Sequence, residues 1–471
     1  MSMELWSAEW VFIKGRFEPD WGVLVDEDGT IQAVGPRLQL VAGAKTVHHY
    51  PARVLLPALV NPHHHGFYRL FRGVCEFEIS FREMVDKLIW PVSQTIDQEL
   101  FEAVYRVAFA EQARAGFGTL GEFHYLHNGE YDHPKSSSFA GRIIHIAIEM
   151  GLRLNLVYTF FDQGSSDRTK AFIRPLDASL EEFREIQEKY GDHPLIHIVP
   201  GIHSLEHTSS EAIIAAFELA EEHNTRLHVQ LAEREMELES ARTQYGTSPL
   251  RALEKVGVLN QRLVVVNGAM LDKEELELIK KHGASMVFSP TAILARGEEP
   301  GSHQGAYRLG VPFAFGSDTL GMSHNYTMGE DIKWTELALR GAKKSSNALG
   351  KLETVHSLWD LGSRFPARVL DLPTAQLMPG CPADFALIQP KQPLDPPENR
   401  SGNHIINQIV LGWGSHAEVT HLLVQGRVVV RGGQTEVDHR GAYTKLNHWN
   451  DSFLRSIKKA TDRASEARDR S

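Results

Sequence analysis

The sequence predicts an α/β protein: a (β/α)8 TIM barrel with a small β-sandwich domain formed by the two chain ends. Three observations predict it. From about residue 54 to about 318, eight short apolar runs alternate with amphipathic segments whose apolar residues recur at helical spacing. The first 56 residues, and the stretch beyond 371, read instead as short strands and hairpins. No glycine-rich phosphate turn follows the first apolar run, which disfavours an open dinucleotide-binding sheet. The chain has 471 residues, which accommodates one barrel of roughly 250 residues and a smaller unit.

The opening segment contains WVFIKG, WGVLVDEDG and IQAVGP, which alternate apolar and polar residues and end in glycine or proline. Asp28-Gly29 is a hairpin signal. Barrel strands are expected at 54–61, 117–125, 152–159, 195–204, 226–233, 262–268, 284–290 and 311–318. Helices such as SSEAIIAAFELAEEHN and DKEELELIKKHG lie between them. A helical stretch continues to about 371. ADFALIQP and VTHLLVQGRVVVRGGQ then read as strands that resemble the opening segment and can pair with it. The expected division is 1–56 and 372–435 for the sandwich, 57–371 for the barrel, and 436–471 for a surface helix or tail.

Composition narrows the function. Hydrophobic residues make up 42% of the chain, enough for a large core. The net charge is −11 and no basic block stands out, so nucleic acid and anionic membranes are poor partners. With only Cys75 and Cys381, a disulfide framework and a thiolate zinc site are both excluded. The N-terminus lacks the charged-then-apolar order of a signal peptide, and no run reaches transmembrane length. A cytoplasmic protein acting on a small molecule is expected, and a homodimer is left open. The 24 histidines direct attention to a metal.

Catalytic residues of a barrel sit at the C-terminal ends of its strands. LLPALVNPHHHG ends the first strand, and its His63 and His65, two apart, share one side while His64 points away. FAFGSDTLG ends the eighth with Asp318, a metal ligand, a general base or a helix cap. LHVQLAE ends the fifth with Gln230 and Glu233; Glu233 can move protons or simply open a helix. GIHSLEH places His203 after the fourth strand, and GEFHYLHN places His124, Tyr125 and His127 after the second. Each of these can equally serve the backbone.

This order, followed by PGCPADFALI, resembles the amidohydrolase superfamily over roughly residues 1–435. Within it the chain looks most like the deaminase and chlorohydrolase branch. NPHHHGFYR, GEFHYLHN and HSL are most similar to the N-formimino-L-glutamate deiminases. The resemblance implies one divalent metal ion on His63, His65 and Asp318, zinc first, with iron or manganese also suited to such ligands. It implies Glu233 as the proton-shuttling acid, and Tyr125 and His203 as substrate contacts. The chain departs from the pattern at four places. Gln230 stands where the branch has a metal-binding histidine, and Asn267 where it has a catalytic one. Glu206 stands where the deiminases have an arginine, and Tyr68 where they have a glutamine. The reading is hydrolysis of a C–N bond in an amidine, guanidine or aminated heterocycle. Glu206 and Tyr68 suit a neutral or cationic substrate, whereas Arg69 offers a place for an acidic group. Two alternatives stay open: another leaving group or chemistry on the same scaffold, and an inactive ligand- or protein-binding relative.

Overall fold

The computed structural model describes residues 2–73, 81–127, 138–164, 172–295, 301–318, 356–390 and 417–468, with scattered residues between them. Eight parallel strands build a barrel: β1 (Leu59–His64), β2 (Phe117–His124), β3 (Arg153–Phe160), β4 (Ile196–Ile202), β5 (Leu227–Leu231), β6 (Leu263–Asn267), β7 (Ser285–Phe288) and β8 (Phe313–Phe315). They are hydrogen-bonded in chain order. Every residue of β2, β3 and β6 is buried, as expected of strands covered on both faces.

Local sequence explains the helices. Asp272 accepts from the Glu275 backbone N–H at 2.8 Å while the Glu275 carboxylate accepts from Asp272 N–H at 3.1 Å. This capping box starts Lys273–His282, and Gly283, at φ +72°, ends it. Ser209 caps Ser210–Glu222 more simply, its hydroxyl accepting from the Ala212 N–H. The helical stretch expected up to 371 is seen as His356–Gly362 and Arg364–Leu370. Most of 319–355, and Cys75, lie outside the described residues. The chain closes with the helix Arg440–Arg468. Among the described residues no helix is long and apolar enough to cross a membrane.

The two chain ends meet in one nine-stranded sheet. Thr46–Pro57 pairs in parallel with Glu4–Ile13 and antiparallel with Phe385–Pro390. The sheet shares one core of its own, in which Trp6, Val11, Val23, Leu55, Phe385 and Leu423 pack together. Its other face, including Val54, Leu56 and Ile388, joins the barrel's core.

The first expected strand is the one correction. The run 54–61 is not one strand: 54–57 finishes Thr46–Pro57 of the sheet, and β1 begins at Leu59. At the junction the partner changes. Ala58 N–H donates to Asp384 in the sheet, and Leu59 N–H donates to Gly116 beside β2. The apolar run continues through the change because both segments are buried, so periodicity does not reveal it.

The barrel closes between β8 and β1. Asp318 N–H donates to His63 O and His65 N–H to Asp318 O, each at 3.1 Å. Asn61 laces the same seam: its Nδ2 donates to Ser317 Oγ at 2.8 Å, and its Oδ1 accepts from Ser317 N–H at 3.2 Å. On the other side of β1, a Cβ at Gly121 of β2 would stand 2.4 Å from Pro62 O. Only glycine lets β2 come this close behind the histidine triplet. Gly121→Ala should therefore cost about 1–3 kcal/mol in chemical denaturation, because backbone faces backbone and neither can yield by a rotamer change. Unchanged stability would contradict this packing.

Candidate metal centre and active site

His63, His65 and Asp318 are brought together by that seam. Among the described residues they are the one group of three or more histidine, cysteine or carboxylate side chains with ligand atoms within 4.8 Å of one another. His63 Nε2 and His65 Nε2 lie 3.7 and 3.6 Å from Asp318 Oδ1. All three residues are buried. Two donors on one tetrahedral cation, each bonded at about 2.0–2.1 Å, stand roughly 3.4 Å apart, so these separations are within a few tenths of an ångström of what an ion needs. The donor chemistry agrees. His65 Nδ1 faces Phe123 O at 3.0 Å. A carbonyl only accepts, so Nδ1 carries the proton and Nε2 presents its lone pair to the centre. Among the described residues, both ring nitrogens of His63 are buried with no hydrogen-bond partner. A buried polar atom without a partner is costly, and a cation is the partner this arrangement suits.

β5 and β6 deliver the next residues. Gln230 Nε2 lies 3.3 Å from His65 Nε2, so the amide borders the centre, and a half-turn of it would present its oxygen. Glu233 is half-buried, and its Oε1 accepts from Asn267 Nδ2 at 2.5 Å. The two positions singled out on β5 and β6 thus form one unit.

An aromatic wall stands beside them. The Tyr68 and Tyr125 hydroxyls are 2.5 Å apart. Burial first, then the neighbouring Tyr125, Asp318 and Glu233, raise the Tyr68 hydroxyl well above its ordinary range, so it stays protonated. The charges of both carboxylates thus reach the Tyr68 hydroxyl. The Tyr125 ring packs 4.9 Å from the ring of His203. Burial, aided by His207 and His65, holds His203 well below the usual imidazole range, and it is neutral.

One expected contact, Arg69, is turned to a partner of its own. The Arg69 guanidinium is held by both oxygens of Glu111 at 2.8 and 2.9 Å, with Arg72 on the same carboxylate. It is therefore committed to the helix Gln98–Arg114. Glu206 is exposed, at the rim of a narrow crevice that also reaches Gln230 and Glu237. His124 and His127 pack against each other away from the triad, with His127 Nε2 on Thr159 O at 2.8 Å.

Two residues escaped the sequence reading. Glu122 is wholly buried on β2, where its carboxylate accepts from Gly66 N–H at 2.8 Å and Tyr105 O–H at 2.6 Å, and contacts His64 Nε2 at 3.1 Å. Its signal was an acidic residue inside an apolar strand. Glu237, one helical turn after Glu233, accepts from the Glu233 N–H at 3.1 Å. Burial and the charge of Glu233 push its carboxyl up.

Comparison with known proteins agrees with this architecture. The model of the amidohydrolase family matches residues 54–429. The 5-methylthioadenosine/S-adenosylhomocysteine deaminase of Pyrococcus furiosus is 26% identical over 408 residues, 87% of this chain and 90% of that protein. The 5'-deoxyadenosine deaminase of Methanopyrus kandleri is 25% identical over 426 residues, 89% and 91% of the two chains. In fold, the chain is similar to a zinc-bound adenosine deaminase of Xanthomonas campestris, with a TM-score of 0.83 at 20% identity over 96% of this chain and 98% of that one. It is equally similar to a zinc-bound atrazine chlorohydrolase of Arthrobacter aurescens, with a TM-score of 0.83 at 19% identity over 96% and 100%. With the family model spanning both the barrel and the strands that return to the terminal sheet, the chain belongs to the amidohydrolase family.

Proposed function

We propose that this amidohydrolase deaminates an aminated heterocycle of the adenine type: water replaces an exocyclic amino group, the C–N bond breaks, and ammonia leaves. The observation that carries the reading is the Glu233 carboxylate, bonded to Asn267 and within electrostatic reach of Tyr68, at the same barrel mouth as His63, His65 and Asp318. The deaminase names of the relatives that align over nearly the whole chain support the leaving group.

His63, His65 and Asp318 would hold the divalent ion, with Gln230 as a weak fourth donor. When bound, such an ion lowers the pKa of a water and polarises the carbon under attack. The chain's own residues supply the rest. Glu233 takes the proton of the attacking water and returns it to the departing nitrogen. Asn267 holds Glu233 Oε1, and Oε2 lies 3.8 Å from Arg234 Nη2, a loose contact that leaves it able to exchange a proton with the substrate. Tyr68, Tyr125 and neutral His203 offer a flat ring an apolar wall with hydroxyl groups at one edge. Exposed Glu206 near the crevice favours a neutral or cationic substrate over an acid. Zinc as the ion, a cytoplasmic setting, homodimer formation and the division into 1–56 with 372–435 against 57–371 are parts of the same proposal.

Replacing the β6 imidazole by Asn267 favours one second reading, loss of a group other than ammonia; a panel that includes chlorinated triazines separates the two. Three outcomes are expected. Gln230→His should bind zinc at least about tenfold more tightly in a chelator competition, because imidazole is the better donor. Equal or weaker binding would remove Gln230 from the centre. Glu233→Gln should lower turnover by about 10²–10⁴-fold with metal content unchanged, the range ordinary for a general acid–base group. Turnover close to wild type would end its role. In a substrate panel, adenosine-type compounds should be consumed well and N-formimino-L-glutamate poorly, with Glu206→Arg narrowing the difference. Good turnover of the acid by the wild type would refute the charge argument.

A further inference from the structure

A second cavity lies at the opposite end of the barrel, and we propose that it binds an organic anion with a flat apolar body. Its volume is about 880 Å³. Small-molecule sites commonly span roughly 300–1,000 Å³. It is formed by the residues that precede β5, β6, β7 and β8, and the helix Arg364–Leu370 with the turn after it closes one side. Arg226 precedes β5 and Glu233 follows it, so at roughly 3.3 Å per residue the cavity lies about 20 Å from the catalytic end. It shares no residue with the site described above.

Charge makes the cavity specific. Arg226, Arg262 and Arg368 line it against one carboxylate, Asp371. The pairing with that carboxylate is loose: Arg226 Nη2 is 3.7 Å from Asp371 Oδ2, and the aspartate side chain is 64% exposed. Among the described residues Arg226 Nε is buried with no hydrogen-bond partner, while its Nη1 donates to Gln261 O, a neutral acceptor. Among the described residues the Arg262 guanidinium is held by neutral acceptors, Thr225 O at 3.2 Å and Asn224 Oδ1 at 2.9 Å. Arg368 is exposed and makes no ion pair among the described residues. Three guanidinium groups around one carboxylate leave a net positive lining on a chain whose overall charge is −11. Guanidinium is suited to forked contact with carboxylate, phosphate or sulfonate oxygens. Tyr307 and Phe365 add rings to the wall, against which a flat body can lie.

The probe is 8-anilinonaphthalene-1-sulfonate, a flat aromatic anion, titrated by fluorescence into the full-length protein at low salt. One saturable site per chain is expected, weakening as salt rises. Arg368→Glu alters an exposed side chain and should leave the melting temperature and turnover unchanged while weakening the dye about tenfold, since it reverses a lining charge. Phe365→Ala should weaken the dye without changing the displacement of dye by inorganic phosphate. Phosphate that displaces nothing would show that the aromatic body alone drives binding, and would overturn the anion assignment. Absence of saturable binding, or equal dissociation constants for wild type and both variants, would overturn the site.

Discussion

The closure of β8 onto β1 is the constraint on which the rest depends. Two backbone hydrogen bonds at Asp318 join the first barrel strand to the last, and the residues that make them are the metal-site residues themselves: His63 gives the carbonyl and His65 the N–H. A change that opens the barrel here therefore also separates the ligands. The reverse holds as well. A cation gripped by His63, His65 and Asp318 would tie together strands that, among the described residues, share one backbone bridge, His64 with Asp318. Folding and metal affinity are thus linked through one seam.

Behind the seam stands a polar cluster that fixes β1. Burial pushes Glu122 up to about 8 and His64 down to about 3, so at neutral pH both are uncharged. Their contact then avoids the cost of burying an ion pair. The carboxyl group still receives Gly66 N–H and Tyr105 O–H, and His64 Nδ1 reaches Gly121 O at 3.0 Å. Alternation along β1 turns His64 into this cluster and so leaves His63 and His65 facing the centre. The hydrogen bonds to the Glu122 carboxyl group and from His64 Nδ1 hold β1, and with it the two ligands, in one orientation.

How much of this was legible follows from what a sequence can express. Strand and helix alternation survives in apolar periodicity, so β2 to β8 were placed within a few residues, and the pairing of chain ends followed from their shared strand character. The division of 54–61 was invisible because a change of hydrogen-bond partner leaves no trace in hydropathy. His63, His65 and Asp318 were legible because the metal site demands particular residue types at strand ends. Glu122 and Glu237 were not, since a carboxylate reads as surface until its burial is known. The pairing of Arg69 was hidden for the converse reason: its partner, Glu111, lies 42 positions away on a helix. The cavity at the other end of the barrel was unreadable as well. Its arginines come from separate loops, and each alone is an ordinary surface charge.

The strand ends themselves carry the last step. Gln230 and Glu233 are three apart, so a continued strand would send them to opposite faces. Ala232, between them, is left-handed at φ +51°, and the chain turns so that Glu233 meets Asn267. Asn267 and Asp318 are left-handed too, at φ +65° and +50°. A non-glycine residue in this region costs of order 1 kcal/mol, and three of them gather at the mouth of one barrel. The fold tolerates this because each turn aims a polar side chain that a regular strand would misdirect. The outcome concentrates the proton chemistry. An imidazole at the end of β6 could have carried a proton itself; the Asn267 amide cannot, and it can only orient. In the proposed deamination the transfer from water to leaving group would therefore fall to Glu233 alone, with the hydrogen bond from Asn267 orienting it.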